Sequence, residues 1–137
     1  MKLAYVDSSA WITRLEGLPV YRHTINACLN QLLDEEWVLC SSSIVMLEVF
    51  PKLYRNKNNT LIEIYHKLFE RTHQLKSFPD IFEQAMMIAQ TENLKAMDAI
   101  HVAIANHRQC FVSTDLHFKN LTIIPPVWID LSKKEQA

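Results

Sequence analysis

Residues 94–118 read LKAMDAIHVAIANHRQCFVSTDLHF, and this stretch decides how the rest of the chain is organised. Ile100, Ala103, Ile104 and His107 recur at intervals of three and four, so the spacing predicts a helix over 97–107. Residues 110–113, CFVS, form a short apolar run that predicts a strand. An aspartate stands at each end of this pair: Asp98 inside the apolar helix and Asp115 just past the strand. A carboxylate in an apolar run is costly to bury unless it is paired, hydrogen-bonded or bound to a cation. In an open α/β sheet, the position just past a strand is the carboxyl edge, where ligands bind.

The same arrangement recurs toward the N-terminus. Residues 2–6, KLAYV, predict a buried strand that ends at Asp7, and Ser8 and Ser9 add capping chemistry for a helix over 10–15. An amphipathic helix over 20–35 leads to a second strand at 37–40, WVLC. The cluster Ser41–Ser43 then caps a helix over 44–54 that carries Glu48 among apolar residues. Pro51 is expected to kink or end that helix, because it lacks an N–H and crowds the preceding turn. A polar loop over 55–59 follows, then a helix over 60–74 with Leu61, Ile64, Tyr65, Leu68 and Phe69 on one face. A third strand is expected at 75–78. Pro79 opens a helix over 80–91 that turns Ile81, Phe82, Ala85, Met86 and Ala89 inward. A short turn at 116–120 precedes a last strand formed from 121–124 and 127–129, interrupted by Pro125 and Pro126.

Short apolar strands alternate with helices, and no tight hairpin is evident. The expected fold is therefore a single α/β domain over 1–131. It has a mainly parallel central sheet of four to five short strands, helices on both faces, and a polar tail at 132–137. A chain of 137 residues with 49% hydrophobic and 21% charged residues is ordinary for one globular domain. Its single glycine excludes the glycine-rich phosphate loops. A net charge of −1 leaves no broad basic field for nucleic acid, so any such partner must be met through local patches or cations. Three scattered cysteines without a CxxC pair fit buried thiols in a reducing cytoplasm. Asp7 comes too early for a signal peptide, and no apolar run is long enough to span a membrane.

Asp7, Glu48, Asp98 and Asp115 thus share one kind of address. If the first and fourth strands are neighbours, all four carboxylates can meet at one edge of the sheet. Such a cluster cannot stay fully ionised without compensation. Hard divalent cations with oxygen ligands resolve it, activate water and steady a phosphate. Each acid also has a plainer reading. Asp7 and Asp115 suit helix N-caps, Asp98 a first-turn acid favoured by the helix dipole, and Glu48 a salt bridge to Lys52.

Taken together, YVDSSAWI, the glutamate of SSSIVMLEV, MDAIHVAIA and VSTDLHF resemble the PIN domain, and more narrowly the ribonuclease toxins of VapBC-type toxin–antitoxin pairs. The resemblance runs from residue 1 to about 130 in the family's order. It implies a Mg²⁺- or Mn²⁺-dependent endoribonuclease with Asp7, Glu48, Asp98 and Asp115 as catalytic and metal-binding acids. It also implies that Ser9 and the Thr114 hydroxyl orient carboxylates or water from behind. A homodimer and a small antitoxin partner laid across the active-site groove are implied as well. Where the family usually has a glycine before the last strand, this chain has Asn106-His107-Arg108-Gln109, and Asn can take the left-handed conformation there.

Lys52, Arg55 and His117 are candidate RNA contacts, with Tyr54 beside the first two. His101 reads more readily as a core or surface histidine than as a cleft residue, and Trp11 as core. The histidines lack zinc-site spacing. The competing function is a catalytically inactive RNA-binding or scaffold module of the same fold. Such a module would normally lack one of the acids. A receiver reading lacks the paired acids before the helix, and a phosphatase reading lacks the DxD, since Ser9 stands where its second aspartate would be.

Overall fold

The computed structural model describes residues 2–105 and 110–132. Five strands, β1 (Lys2–Val6), β2 (Trp37–Ser42), β3 (His73–Leu75), β4 (Cys110–Ser113) and β5 (Pro126–Trp128), form one sheet in the order β3-β2-β1-β4-β5. Every pairing is parallel. The helices are α1 (Ser8–Glu16), α2 (Pro19–Asp34), α3 (Ser43–Arg55), α4 (Asn59–Arg71), α5 (Ile81–Glu92) and α6 (Ala96–Ala105), with a 3₁₀ turn at Leu116–Phe118. Ala4, Tyr5 and Val6 of β1 are all fully buried. Since successive strand residues point to opposite faces, both faces of the central strand are covered. This explains why the strands read as continuous apolar runs.

Strand order reverses at β1, with β2 on one side and β4 on the other. The carboxyl edge between β1 and β4 is therefore the crevice that such a sheet offers to a ligand. Their register pairs Val6 with Val112, which brings Asp7 level with Ser113. The Asp7 N–H donates to Val112 O at 3.0 Å and extends the ladder one step beyond β1.

Local chemistry sets the helix ends. Asp7 caps α1 by accepting the Ala10 N–H at 3.1 Å, and Asn58 caps α4 by accepting that of Leu61 at 3.3 Å. Gly17 ends α1, where a Cβ would stand 2.5 Å from the Thr13 carbonyl oxygen. Pro19 opens α2 at its first turn. Asn93 closes α5 in the left-handed conformation, with φ 55° and ψ 52°.

Several sequence expectations shift. Pro51 lies inside α3 without ending it. The carbonyl it deprives of a donor is that of Leu47, on the exposed side of the helix. Ser41 and Ser42 extend β2, and the Ser42 hydroxyl bonds Tyr5 rather than capping α3. The third strand is His73–Leu75 and not 75–78, because α4 stops at Arg71. The last strand is Pro126–Trp128 alone. Pro126 is tolerated as the first residue of an edge strand, and the Pro125 carbonyl accepts the Phe111 N–H at 3.0 Å. On α5 the inward residues are Ile81, Ala85 and Ile88, while Phe82 and Met86 face outward, 66% and 63% exposed. The predicted end of α6 at His107 and the left-handed turn at Asn106 lie outside the described residues, as does the tail from 133 onward. Among the described residues, no helix is long and apolar enough to cross a membrane. The three cysteines are not joined in disulfides.

Candidate active site

Asp7, Glu48, Asp98 and Asp115 all line one open cleft of about 220 Å³, together with Ser8, Ser9, Ile12, His101 and Phe118. Three of these acids come from places where an element begins or ends, and Glu48 from the second turn of α3.

Asp7 is the most buried, at 3% exposure. Its Oδ1 accepts the Ser9 hydroxyl at 2.7 Å as well as the Ala10 N–H, and its Oδ2 accepts the Ser113 hydroxyl at 2.5 Å. Burial pushes its carboxyl up to about 6, against these hydrogen bonds and the nearby His101, which pull it down. The two serines also fasten the other strand end. Ser9 Oγ accepts the Thr114 N–H at 3.1 Å, and Ser113 Oγ accepts that of Asp115 at 2.9 Å.

The family resemblance implies a Thr114 hydroxyl that orients carboxylates or water. The hydroxyl that reaches Asp7 is that of Ser113, and Thr114 enters through its backbone. Strand residues alternate faces, so of two neighbours only one can point toward Asp7. The serine in VST was the available signal, one position before the threonine that drew attention.

Glu48 is held by Ser8, whose hydroxyl donates to Oε1 at 2.8 Å, and by His101 Nε2, which bonds the same oxygen. Burial raises its pKa, but the His101 hydrogen bond and charge, with Ser8, outweigh it, so the carboxyl sits below its ordinary value. Lys52, the partner expected from helical spacing, is exposed and does not line the cleft; nor does Arg55.

Asp98 and Asp115 stand at the rim with His117. The imidazole Nδ1 lies 3.2 Å from Asp98 Oδ2 and 3.4 Å from Asp115 Oδ1. One ligand atom from each of the three falls within 4.8 Å of the others, a spacing that a single cation can span. Asp115 also accepts the His117 N–H at 2.9 Å and so caps the 3₁₀ turn. The capping and cleft readings of Asp7 and Asp115 are therefore compatible: the same carboxylates serve as caps and as cleft walls.

A family model for the PIN domain matches residues 4–124. The chain belongs to the PIN domain family. Among solved structures, this PIN domain is similar to VapBC2 from Rickettsia felis bound to a DNA fragment from its promoter. The TM-score is 0.65 at 13% identity, over 93% of this chain and 99% of that one. It is similar to a toxin–antitoxin complex from Klebsiella pneumoniae, with TM-score 0.64 and 17% identity over 88% and 94% of the two chains. It is also similar to FitAcB from Neisseria gonorrhoeae, with TM-score 0.64 and 20% identity over 90% and 95%. No curated protein matches the sequence closely enough to count as a relative. At these identities the likeness is one of fold. In this chain the four acids line one cleft at the switch point of the parallel sheet.

A larger groove, of about 640 Å³, lies away from the acids. Its lining includes Trp11, Trp37, Leu39 and Leu68, with Arg14 and Arg71.

Proposed function

We propose that the protein is a Mg²⁺- or Mn²⁺-dependent endoribonuclease and the toxin of a toxin–antitoxin pair. The observation that carries this reading is the meeting of Asp7, Glu48, Asp98 and Asp115 in one cleft of a PIN fold. The donor set fits a hard divalent cation. It is dominated by carboxylate oxygens, and burial pushes up the pKa of the most enclosed carboxyl, Asp7, a cost that a bound cation would offset. Asp98 and Asp115 at the rim, with Asp7 and Glu48 behind, would hold the ion. When bound, the ion supplies an activated water and positive charge for an in-line displacement at a phosphodiester.

The chain's own residues prepare that site. Ser9 and Ser113 fix both oxygens of Asp7, and Ser8 and His101 fix Glu48. The cleft's two serine hydroxyls donate to carboxylates, Ser8 to Glu48 and Ser9 to Asp7, a positioning role that leaves the attack to water. His117 at the rim, and Lys52 and Arg55 farther along α3, are the proposed contacts to the RNA backbone. All four acids are present, which favours catalysis over an inactive scaffold.

An antitoxin segment is the proposed partner. The solved structures of like fold include toxin–antitoxin complexes, and the segment is proposed to lie across the cleft that the four acids line. A homodimer is proposed through the outer face of α5, where Phe82, Met86 and Met87 are exposed. Three cysteines without disulfides suit the cytoplasm.

The test is cleavage of RNA by the purified protein with Mg²⁺ or Mn²⁺. Asp7→Asn and Asp98→Asn should abolish cutting while the fold persists, and EDTA should do the same to the wild type. Cleavage that survives EDTA, or Asn variants that cut equally well, would refute the proposal.

A further inference from the structure

We infer that His101 is a positioning residue that fixes the Glu48 carboxylate in the cleft and is itself fixed by Tyr5 and Ser42. The inference rests on the reading of the cleft as a cation site. His101 lies one turn after Asp98 on α6 and is buried. Its Nε2 bonds Glu48 Oε1, and its Nδ1 stands 2.8 Å from the Tyr5 hydroxyl. That hydroxyl stands 2.8 Å from Ser42 Oγ. Tyr5 belongs to β1 and Ser42 ends the neighbouring β2, so the line runs from the centre of the sheet to the cleft wall.

The protons can be arranged so that each donor finds an acceptor. His101 Nε2–H donates to Glu48, Nδ1 accepts the Tyr5 O–H, and the Tyr5 oxygen accepts the Ser42 O–H. Two polar side chains, Tyr5 and His101, are thereby buried without an orphaned atom. Burying them carries a desolvation cost that an apolar pair at the same positions would avoid. The line ends on a carboxylate that lines the cleft. Glutamate has three rotatable bonds, and Glu48 is partly exposed, so without a tether it would sample several rotamers. His101 supplies that tether from the core, and Ser8 supplies a second one from α1.

The experiment is Mn²⁺ binding to the full chain, followed by loss of the free-ion electron paramagnetic resonance signal, with folding checked by circular dichroism and thermal melting. His101→Leu is expected to weaken Mn²⁺ binding by about 10–100-fold, the usual cost of losing a group that orients a metal ligand. His101→Gln, whose amide N–H can stand near the Nε2 position, should recover much of that loss. Tyr5→Phe keeps the ring and removes the anchor of Nδ1 together with the acceptor of the Ser42 hydroxyl, but leaves the His101–Glu48 bond, so it should weaken binding by a smaller factor. A purely structural histidine would lower the melting temperature without this graded order in affinity. A folded His101→Leu variant that binds within about twofold of wild type overturns the inference, given the loss expected of an orienting group. If that variant does not fold, wild-type affinity in both His101→Gln and Tyr5→Phe overturns it. If wild type shows no saturable Mn²⁺ site, the cation-site reading falls and takes the inference with it. If wild type binds and the variants bind alike, the inference alone falls.

Discussion

The hydroxyl of Ser113 donates to Asp7 Oδ2 at 2.5 Å while accepting the Asp115 N–H at 2.9 Å, so one side chain ties together two neighbouring strand ends and two cleft acids. Ser113 is fully buried, and its partner is a buried carboxylate. A hydrogen bond to a charged group contributes about 1.5–3 kcal/mol net, so Ser113→Ala should lower the unfolding free energy by an amount on that order at neutral pH. Thr114→Ala keeps the backbone N–H that bonds Ser9 and should stay within about 0.5 kcal/mol of wild type. Urea unfolding of metal-free protein measures both. Equal destabilisation by the two substitutions would contradict the assignment of the hydroxyl to Ser113.

Asp7 gives a pH dependence whose sign differs from that of most carboxylates. Its pKa in the folded chain is raised from 3.8 to about 6 by burial, so between these values the folded state binds more protons than the unfolded one. Stability from this group is therefore greatest below the window and falls as pH rises through it. A two-unit elevation corresponds to a ceiling of about 3 kcal/mol at neutral pH. Asp7→Asn removes the penalty, so in the absence of metal the variant should be more stable than wild type at pH 7. The gap should close as pH falls toward 4. Glu48, held below its ordinary value, works in the opposite direction, its contribution being lost as pH falls through its folded pKa. Thermal melts of both proteins in EDTA across this range test the sign. An Asn variant less stable at pH 7 than at pH 4, relative to wild type, would show that burial is not the dominant influence on Asp7.

The acids stood out because a carboxylate breaks an apolar string, as in KLAYVD and MDAIHVAIA, but singly each suited a cap or first-turn acid equally well, and only the strand order brings the four into one cleft. The parallel sheet was legible for a related reason: strands buried on both faces lose the polar alternation that would mark a solvent-facing sheet. The inward face of α5 was not, because in IFEQAMMIAQ apolar residues fall on more than one stripe. Periodicity then admits several faces, and only packing against α6 selects Ile81, Ala85 and Ile88. His101 read more readily as a core or surface histidine than as a cleft residue, because its partner, Glu48, is remote in sequence and no spacing rule connects them. β3, with the sequence HQL, is too short and too polar to announce itself; the edge of β2 creates it.

His117 separates two uses of the rim. Its Nδ1 sits between Asp98 and Asp115, where a nitrogen ligand would favour Mn²⁺ over Mg²⁺. If it serves as a ligand, His117→Ala should weaken Mn²⁺ binding several-fold and leave Mg²⁺ binding nearly unchanged. If it contacts the RNA backbone instead, metal affinities should hold and KM for RNA should rise. Calorimetric titration with each metal, alongside cleavage kinetics, distinguishes the two. A His117→Ala variant with unchanged values in every measurement would remove the residue from the site.

The outer face of α5 tests the assembly. Phe82 and Met86 are four residues apart, stand side by side on the helix, and border an apolar hollow of about 180 Å³ with Ala85, Ala89, Ala96, Ala99 and Ile100. Leaving two large apolar side chains in water forgoes about 1.5–3 kcal/mol each, a gain that a second copy of the chain would recover by covering them. Phe82→Glu puts a charge where a dimer would bury it and removes nothing from the core. The variant should therefore melt like wild type at concentrations where both are monomeric, yet sediment as a monomer, and melt lower, where wild type is dimeric. Leu18→Glu, at an exposed position at the start of α2, serves as the control and should leave association unchanged. A wild-type protein that sediments as a monomer even at high concentration would leave the α5 face to another partner, and the antitoxin would then be the first candidate to titrate against it.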